Sequence, residues 1–200
     1  DEITTFWRGL DAAKMTETIR LALKFQLVTA QRKGEVIAAE WSEFDRTNGL
    51  WTIPAEKAKN GVQHVVPLSP LALDILDAIE ANGPESSRFL FQSPRDNKPV
   101  LGSSVDHALR NNLTLICVEN VTPHDLRRTA ATAMASLGVD RTVLSKILNH
   151  VDSSVTGRYD THTYIPEKRA ALERWGRKLE ELVSGKLAPS KVVELAELRT

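Results

Sequence analysis

The sequence predicts a mainly α-helical domain with a small three-stranded antiparallel β-sheet, an α+β arrangement, on three observations. Apolar residues recur at helical spacing near the start of the chain and along much of its second half. β-Branched and aromatic residues bounded by turn signals fall between residues 40 and 68. Serine or threonine followed by proline twice announces a helix start, at Ser69-Pro70 and Thr122-Pro123. Two hundred residues with 42% hydrophobic and 26% charged side chains suffice for one ordinary domain with a buried core.

From Thr16 to Thr29, Ile19, Ala22, Leu23, Leu27 and Val28 repeat at helical spacing with Glu17, Arg20, Lys24 and Gln26 between them, which predicts an amphipathic helix. A short helix over Lys33–Ala39 follows. Glu40–Phe44, Leu50–Pro54 and His64–Leu68 then read as three short strands. Thr47-Asn48-Gly49 signals a hairpin, because asparagine and glycine accept the positive φ of tight turns. Ala55–Gln63 is a longer hairpin connection whose Lys57, Lys59 and Asn60-Gly61 predict an exposed basic tip. Ser69 and Pro70 open a helix carrying Leu71, Leu73, Ile75, Leu76 and Ile79 as far as Gly83. Thr122 and Pro123 open another over His124–Leu137, which Gly138 stops, and a further helix covers Arg141–Leu148. Pro166 opens a last long helix bearing Ala170, Leu172, Trp175, Leu179 and Leu182, so residues 1–186 read as one domain and 187–200 as an apolar-acidic tail.

A single cysteine excludes an intramolecular disulfide and a thiolate zinc site and suits a reducing cytoplasm. The apolar runs fall far short of the ~20 residues that span a bilayer, and the Asp1-Glu2 start lacks a signal-peptide pattern, so no membrane partner is expected. Lysine plus arginine number 26 and aspartate plus glutamate 26; with net charge zero, any attraction to nucleic acid must come from a local cluster.

Several residues are chemically suggestive in part only. Arg32 stands three residues before Glu35, which alone describes a surface ion pair. His124 and Arg127 point to one side of a helix start, with Arg128 about 100° further round. Cations there oppose the helix dipole, a conflict that a bound phosphate removes; solvated basic residues are the plain alternative. His150 follows Ile147-Leu148-Asn149 at a helix end, where asparagine tolerates the left-handed conformation. Tyr159 lies nine residues beyond His150, and Tyr164 just before Pro166; taken singly, tyrosines are more often half-buried packing residues.

Taken in order, Arg32, Lys59, His124-x-x-Arg127, His150 and Tyr159 give a sequence that resembles the tyrosine site-specific recombinases, most closely the integrases of phages and genomic islands. The likeness rests on Thr29-Ala30-Gln31-Arg32-x-x-Glu35, Trp51-Thr52-Ile53-Pro54 leading to Lys59, Val66-Pro67-Leu68-Ser69, His124-Asp125-Leu126-Arg127-Arg128-Thr129, Leu148-Asn149-His150, and Ser154 to Tyr159. The family often has glycine where Ala30 and Asn149 stand, which predicts altered backbone detail without loss of a catalytic group. Such recombinases usually also carry an N-terminal helical DNA-binding domain that clamps the duplex from the opposite side; this chain is expected to lack it.

The resemblance implies a DNA breaking-rejoining catalytic domain that recombines double-stranded attachment sites to integrate or excise a mobile element. Arg32 and Arg127 would clamp the non-bridging oxygens of the scissile phosphate, His150 would add a hydrogen bond, and Glu35 would buttress Arg32. Tyr159 would attack, giving a 3′-phosphotyrosine and a free 5′-hydroxyl, with His124 accepting the phenolic proton and Lys59 protonating the leaving oxygen. Lys59 is preferred to Lys57 because it stands eight residues before Pro67, and Tyr159 to Tyr164 because of the nine-residue step from His150; both spacings match the family. Lys57 and Arg128 would contact DNA. The covalent link conserves the energy of the phosphodiester, so no metal, ATP or other cofactor is implied. The implied partners are DNA, further copies in a tetrameric synapse and accessory DNA-bending proteins, in the cytoplasm on the nucleoid, with the tail docking on a neighbouring protomer or folding back in cis. Three other readings compete: type IB topoisomerase-like relaxation, a catalytically silent DNA-binding module, and metal-dependent hydrolysis through His64, His124, Asp125, His150 and His162. The full catalytic set argues against the second, and the unrecognised ligand spacing against the third.

Overall fold

The computed structural model describes residues 2–84, 87–150 and 162–185. Its elements are α1 (Glu2–Ala12), α2 (Glu17–Thr29), α3 (Lys33–Ile37), β1 (Phe44–Asp45), β2 (Leu50–Ile53), β3 (His64–Pro67), α4 (Pro70–Asn82), α5 (Gly102–Ile116), α6 (Pro123–Ser136), α7 (Arg141–Ile147) and α8 (Ile165–Ser184). Tyr159 and the expected tail, 187–200, lie outside the described residues.

Helix α2 begins where Thr16 caps it, accepting a hydrogen bond from the Ile19 amide at 3.4 Å. It was expected to be amphipathic, yet between Leu21 and Thr29 every residue except Lys24 is buried. The reason is its position, since α1, α3, α4, α6 and α8 all pack on it. Gln26 accordingly lies inside, where its amide donates to Pro123 O at 2.8 Å and Gln31 O at 3.3 Å, satisfying a buried polar group. On α8, Trp175 is fully buried and donates Nε1–H to Leu27 O at 3.0 Å. Helix α8 crosses so close to the Ser69 cap of α4 that a Cβ at Gly176 would stand 2.8 Å from Ser69 Oγ.

The sheet order is β1-β2-β3, antiparallel throughout, with Trp51 opposite Val66 and Ile53 opposite His64. Alternation places Trp51, Ile53, Val66 and His64 on the inward face. There Trp51 stacks on its cross-strand partner Phe44 at 5.4 Å and meets Phe25 of α2 at 5.6 Å. Gly49 has φ 59°, as the predicted hairpin turn requires.

The predicted first strand over Glu40–Phe44 is a correction: Trp41–Glu43 is a 3₁₀ turn and the strand is only Phe44–Asp45. A 3₁₀ turn aligns residues three apart, and here it brings Glu40 and Glu43 onto one ammonium, that of Lys57. Helices α1 and α5 were not resolved individually from the sequence, although Phe6, Trp7 and Leu10 carry a helical spacing. Asn112 of α5 holds the turn between α1 and α2: its Oδ1 accepts from the Lys14 amide at 2.6 Å and its Nδ2 donates to Lys14 O at 3.2 Å. Among the described residues no helix is long and apolar enough to cross a membrane.

Candidate active site

Two helix ends organise the site. Helix α2 stops at Ala30 with φ 58°, and the turn after α7 passes through Asn149 with φ 46°. Both are left-handed positions that glycine takes without cost and other L-residues only at about 1 kcal/mol or more. Carbonyls freed at helix C-termini carry partial negative charge and attract cations. Arg127 takes two of them, donating Nη1–H to Ala30 O at 2.9 Å and Nη2–H to Leu148 O. Arg32 reaches a third, Asn149 O, at 3.5 Å.

Arg127 is only 4% exposed, so it is not the solvated basic residue that its position alone would suggest. Burial first, and then the positive charge of Arg32, pull its pKa down to about 10, with Glu35 opposing; it remains charged at neutral pH. Arg32 extends from the loop between α2 and α3. Its Nη1 meets Glu35 Oε1 at 3.0 Å, while its own amide donates to Glu35 Oε2 at 3.2 Å. Glu35 is 3% exposed and also accepts from the Lys59 backbone N–H at 3.4 Å. The expected buttress therefore holds both an arginine and the hairpin.

His150 follows this same turn, its amide bonded to Ser145 O at 3.0 Å. Its ring is exposed, yet the desolvation it does undergo, followed by the charges of Arg127 and Arg32, lowers its pKa below the usual histidine value. The imidazole is thus neutral at pH 7 and lies within the field of both guanidiniums. His124 is exposed in the first turn of α6, one helical turn before Arg127. Beside it, the Asp125 carboxylate accepts from Thr122 N at 3.1 Å and Oγ1 at 2.6 Å, closing the helix start. Arg128 is exposed and 3.6 Å from Asp125. Lys59 is exposed on the β2–β3 hairpin, next to Asn60, whose Nδ2 donates to Asn149 O at 3.0 Å.

Lys57 departs from expectation. It does not extend from an exposed tip; its ammonium turns inward to Glu43, to Glu40 and to Ala38 O, the last two both at 2.9 Å. Burial opposes its charge, but the hydrogen bonds it donates to Glu43 and Glu40 outweigh that and raise its pKa. Arg88, then Lys57, hold the Glu40 carboxyl at about 2, so this ion cluster persists at neutral pH. Tyr164 caps α8 with φ 54°, half-buried, its ring 5.0 Å from Lys146 Nζ. It packs at the helix start, as its position before Pro166 suggested.

Three residues have supporting roles that the sequence did not assign to them. His64 Nε2 and Gln31 Nε2 both bond Ile147 O, at 3.0 and 3.1 Å, so the carbonyls of residues 147, 148 and 149 are gripped in succession from β3, the α2–α3 loop, α6 and the hairpin. A histidine at an inward-facing position of an alternating strand was the available signal for His64. The third is Lys168 of α8, 5% exposed, whose ammonium bonds Val65 O. Among the described residues no three His, Cys, Asp or Glu side chains gather as a metal-ligand group.

Two fixed guanidiniums and a neutral imidazole, delivered from three separate segments, supply donors of the kind that suit a tetrahedral anion such as a phosphodiester. Known proteins resemble this chain in fold and in sequence. The chain is 30% identical over 192 residues to prophage integrase IntA of Escherichia coli K12, covering 94% of this chain and 45% of that protein. It spans about half the length of the curated relatives it matches first. Among solved structures it resembles XerA recombinase, with a TM-score of 0.62 and 22% identity, covering 87% of this chain and 61% of that one. It also resembles a lambda integrase dimer bound to a COC′ core site, with a TM-score of 0.61 and 21% identity, covering 76% and 56%. Residues 1–165 match the phage integrase family, and with that match spanning most of its length the chain belongs to that family.

Proposed function

We propose that this chain is the catalytic part of a tyrosine recombinase that integrates or excises a mobile element by cleaving and rejoining double-stranded DNA. The observation that carries this reading is the meeting of Arg32, Arg127 and His150 at two helix ends, with Glu35 tying Lys59 to the same place. The lambda integrase structure on a core site and the prophage integrase relative support DNA as the substrate.

In this mechanism Arg32 and Arg127 hold the non-bridging oxygens, where preorganised donors stabilise developing charge without reorganising. Neutral His150 donates one N–H to the same phosphoryl group. Tyr159 Oη bonds to phosphorus as its proton passes to His124; the bond to the 5′-oxygen breaks, and that oxygen takes a proton from Lys59. A 5′-hydroxyl of another strand then reverses these steps. Arg128 contacts the flanking backbone, and copies of the chain assemble in a tetrameric synapse in the cytoplasm, with accessory bending proteins as further partners. Lys57 is assigned to the Glu40–Glu43 cluster in place of DNA.

The test is covalent capture. Full-length protein is mixed with a random-sequence pool of nicked duplexes in excess chelator, and the products are resolved on denaturing gels and peptide-mapped. An adduct on Tyr159 that disappears in Tyr159→Phe is expected. An adduct on Tyr164 would reassign the nucleophile, and DNA binding with no adduct would favour a silent clamp.

A further inference from the structure

We infer that Asn60 and Asn149 form a latch that docks the Lys59 hairpin beside Arg32 and Arg127, making both asparagines positioning residues for Lys59. The inference rests on the strand-cleavage reading above. Asn149 occupies a left-handed position, φ 46°, where glycine would be the unstrained choice. A side chain retained there acquires contacts that glycine could not make: Nδ2 donates to Asn60 Oδ1 at 3.2 Å and approaches Val62 O at 3.5 Å. Asn60 answers with Nδ2–H to Asn149 O at 3.0 Å, while its Oδ1 also accepts from the Val62 amide at 3.1 Å. The two asparagines thus bond in both directions across 89 positions of sequence, side chain to side chain one way and side chain to the Asn149 backbone carbonyl the other.

The hairpin needs such a tether. Gly61, with φ 69°, has open space around it and Val62 is 53% exposed, so the tip has little packing to fix it. Among the described residues, the Gly61 amide bonds within the hairpin, to Ala58 O at 2.9 Å, and the bonds from residues 59–62 to segments outside the hairpin are the 3.4 Å bond from the Lys59 amide to Glu35 and those with Asn149. The far end of the latch is equally placed: Asn149 O also receives Arg32, and His150 is the next residue. One contact therefore fixes the proposed acid relative to the phosphate clamp. Proton transfer demands such a relation, because a donor displaced by about 1 Å can lose a hundredfold in rate.

The experiment uses full-length protein and a nicked duplex captured covalently from the random pool by the wild-type chain. Asn149→Gly is chosen because its backbone conformation suits glycine, and Asn60→Ala cuts the same latch from the other side. Each is expected to slow cleavage on the order of tenfold to a hundredfold, with the double variant no worse than the slower single one. A duplex carrying sulfur in place of the 5′-bridging oxygen needs no acid to release its leaving group. On it both variants should return to the wild-type rate, and amide exchange at residues 59–62 should accelerate while α2 and α6 stay protected. Wild-type rates on the ordinary duplex would overturn the latch. So would a loss that persists with sulfur, which would place the damage in the arginine clamp. A wild-type chain that captures no duplex would remove the cleavage reaction itself and the latch with it, a failure visible before any variant is made.

Discussion

In the proposed mechanism Arg127 binds phosphate, and in the structure it already holds two helix ends together, so its removal should register in folding as well as in catalysis. In Arg127→Ala, Ala30 O and Leu148 O lose their cation in a place the side chain had kept almost dry. Hydrogen bonds to a charged partner contribute roughly 1.5–3 kcal/mol each, so two such losses amount to roughly 3–6 kcal/mol. That is a large part of the roughly 5–15 kcal/mol that holds a domain folded. Lysine restores a charge without the planar fork and can replace about one of the two bonds, so Arg127→Lys should lose about half as much. Urea unfolding would measure these differences, and capture on the nicked duplex would measure the chemistry. Both variants should slow adduct formation on the order of a hundredfold or more, because an ammonium cannot offer two parallel donors to a phosphoryl group. An unchanged urea midpoint in Arg127→Ala would refute the structural half of the reasoning. A wild-type capture rate in Arg127→Lys would refute the other half.

Three further outcomes follow from the same contacts. Arg32→Ala leaves the buried Glu35 carboxylate without its guanidinium and should cost about 1–3 kcal/mol in urea unfolding, a loss that Arg32→Ala with Glu35→Gln should partly recover. Lys168 has its pKa pulled down to about 8, by burial first and then by Lys146, so the unfolded chain holds that proton more tightly. Stability should then rise as pH climbs from about 8 past 10, by roughly 3 kcal/mol at most, and Lys168→Met should flatten that rise; parallel wild-type and variant curves would contradict it. His64 is held near 3, by burial and then by the charges of Lys168, Arg127 and Arg32. It enters the fold neutral, so stability should fall as pH drops from about 6.5 towards 3, a limb that His64→Gln should flatten in pH-dependent unfolding.

The legible parts of this protein are those whose physics is local. The Ser69 and Thr122 caps, the Gly49 turn and the alternation of Trp51 and Ile53 each depend on a few neighbouring residues, and each appears where the sequence placed it. Helix α2 kept its boundaries and kept Glu17, Arg20 and Lys24 out of the core, but Gln26 of its expected polar face is buried, because how many helices surround an element is a property of the whole chain. Lys57 shows the same limit at the scale of one side chain. Its position in a basic hairpin implied solvent, while its partners Glu40 and Glu43 became neighbours of each other only through a 3₁₀ turn that strand propensity had hidden.

The site divides along the same line. Arg32, His124, Arg127 and His150 were visible as residue types in a characteristic order, but their order does not say what holds them. The answer is backbone: the carbonyls of Ala30, Ile147, Leu148 and Asn149, exposed because two helices end in left-handed turns, receive donors from four other segments. Ala30 and Asn149, where the resemblance led one to expect glycine, keep the conformation that glycine would have supplied. At Ala30 the carbonyl accepts Arg127 Nη1–H at 2.9 Å. At Asn149 it adds an amide that reaches the hairpin. A net charge of zero is compatible with the proposed phosphate site, because there the attraction would come from two guanidiniums, Arg127 held by carbonyls and Arg32 by Glu35, rather than from an excess of lysine and arginine over the whole chain.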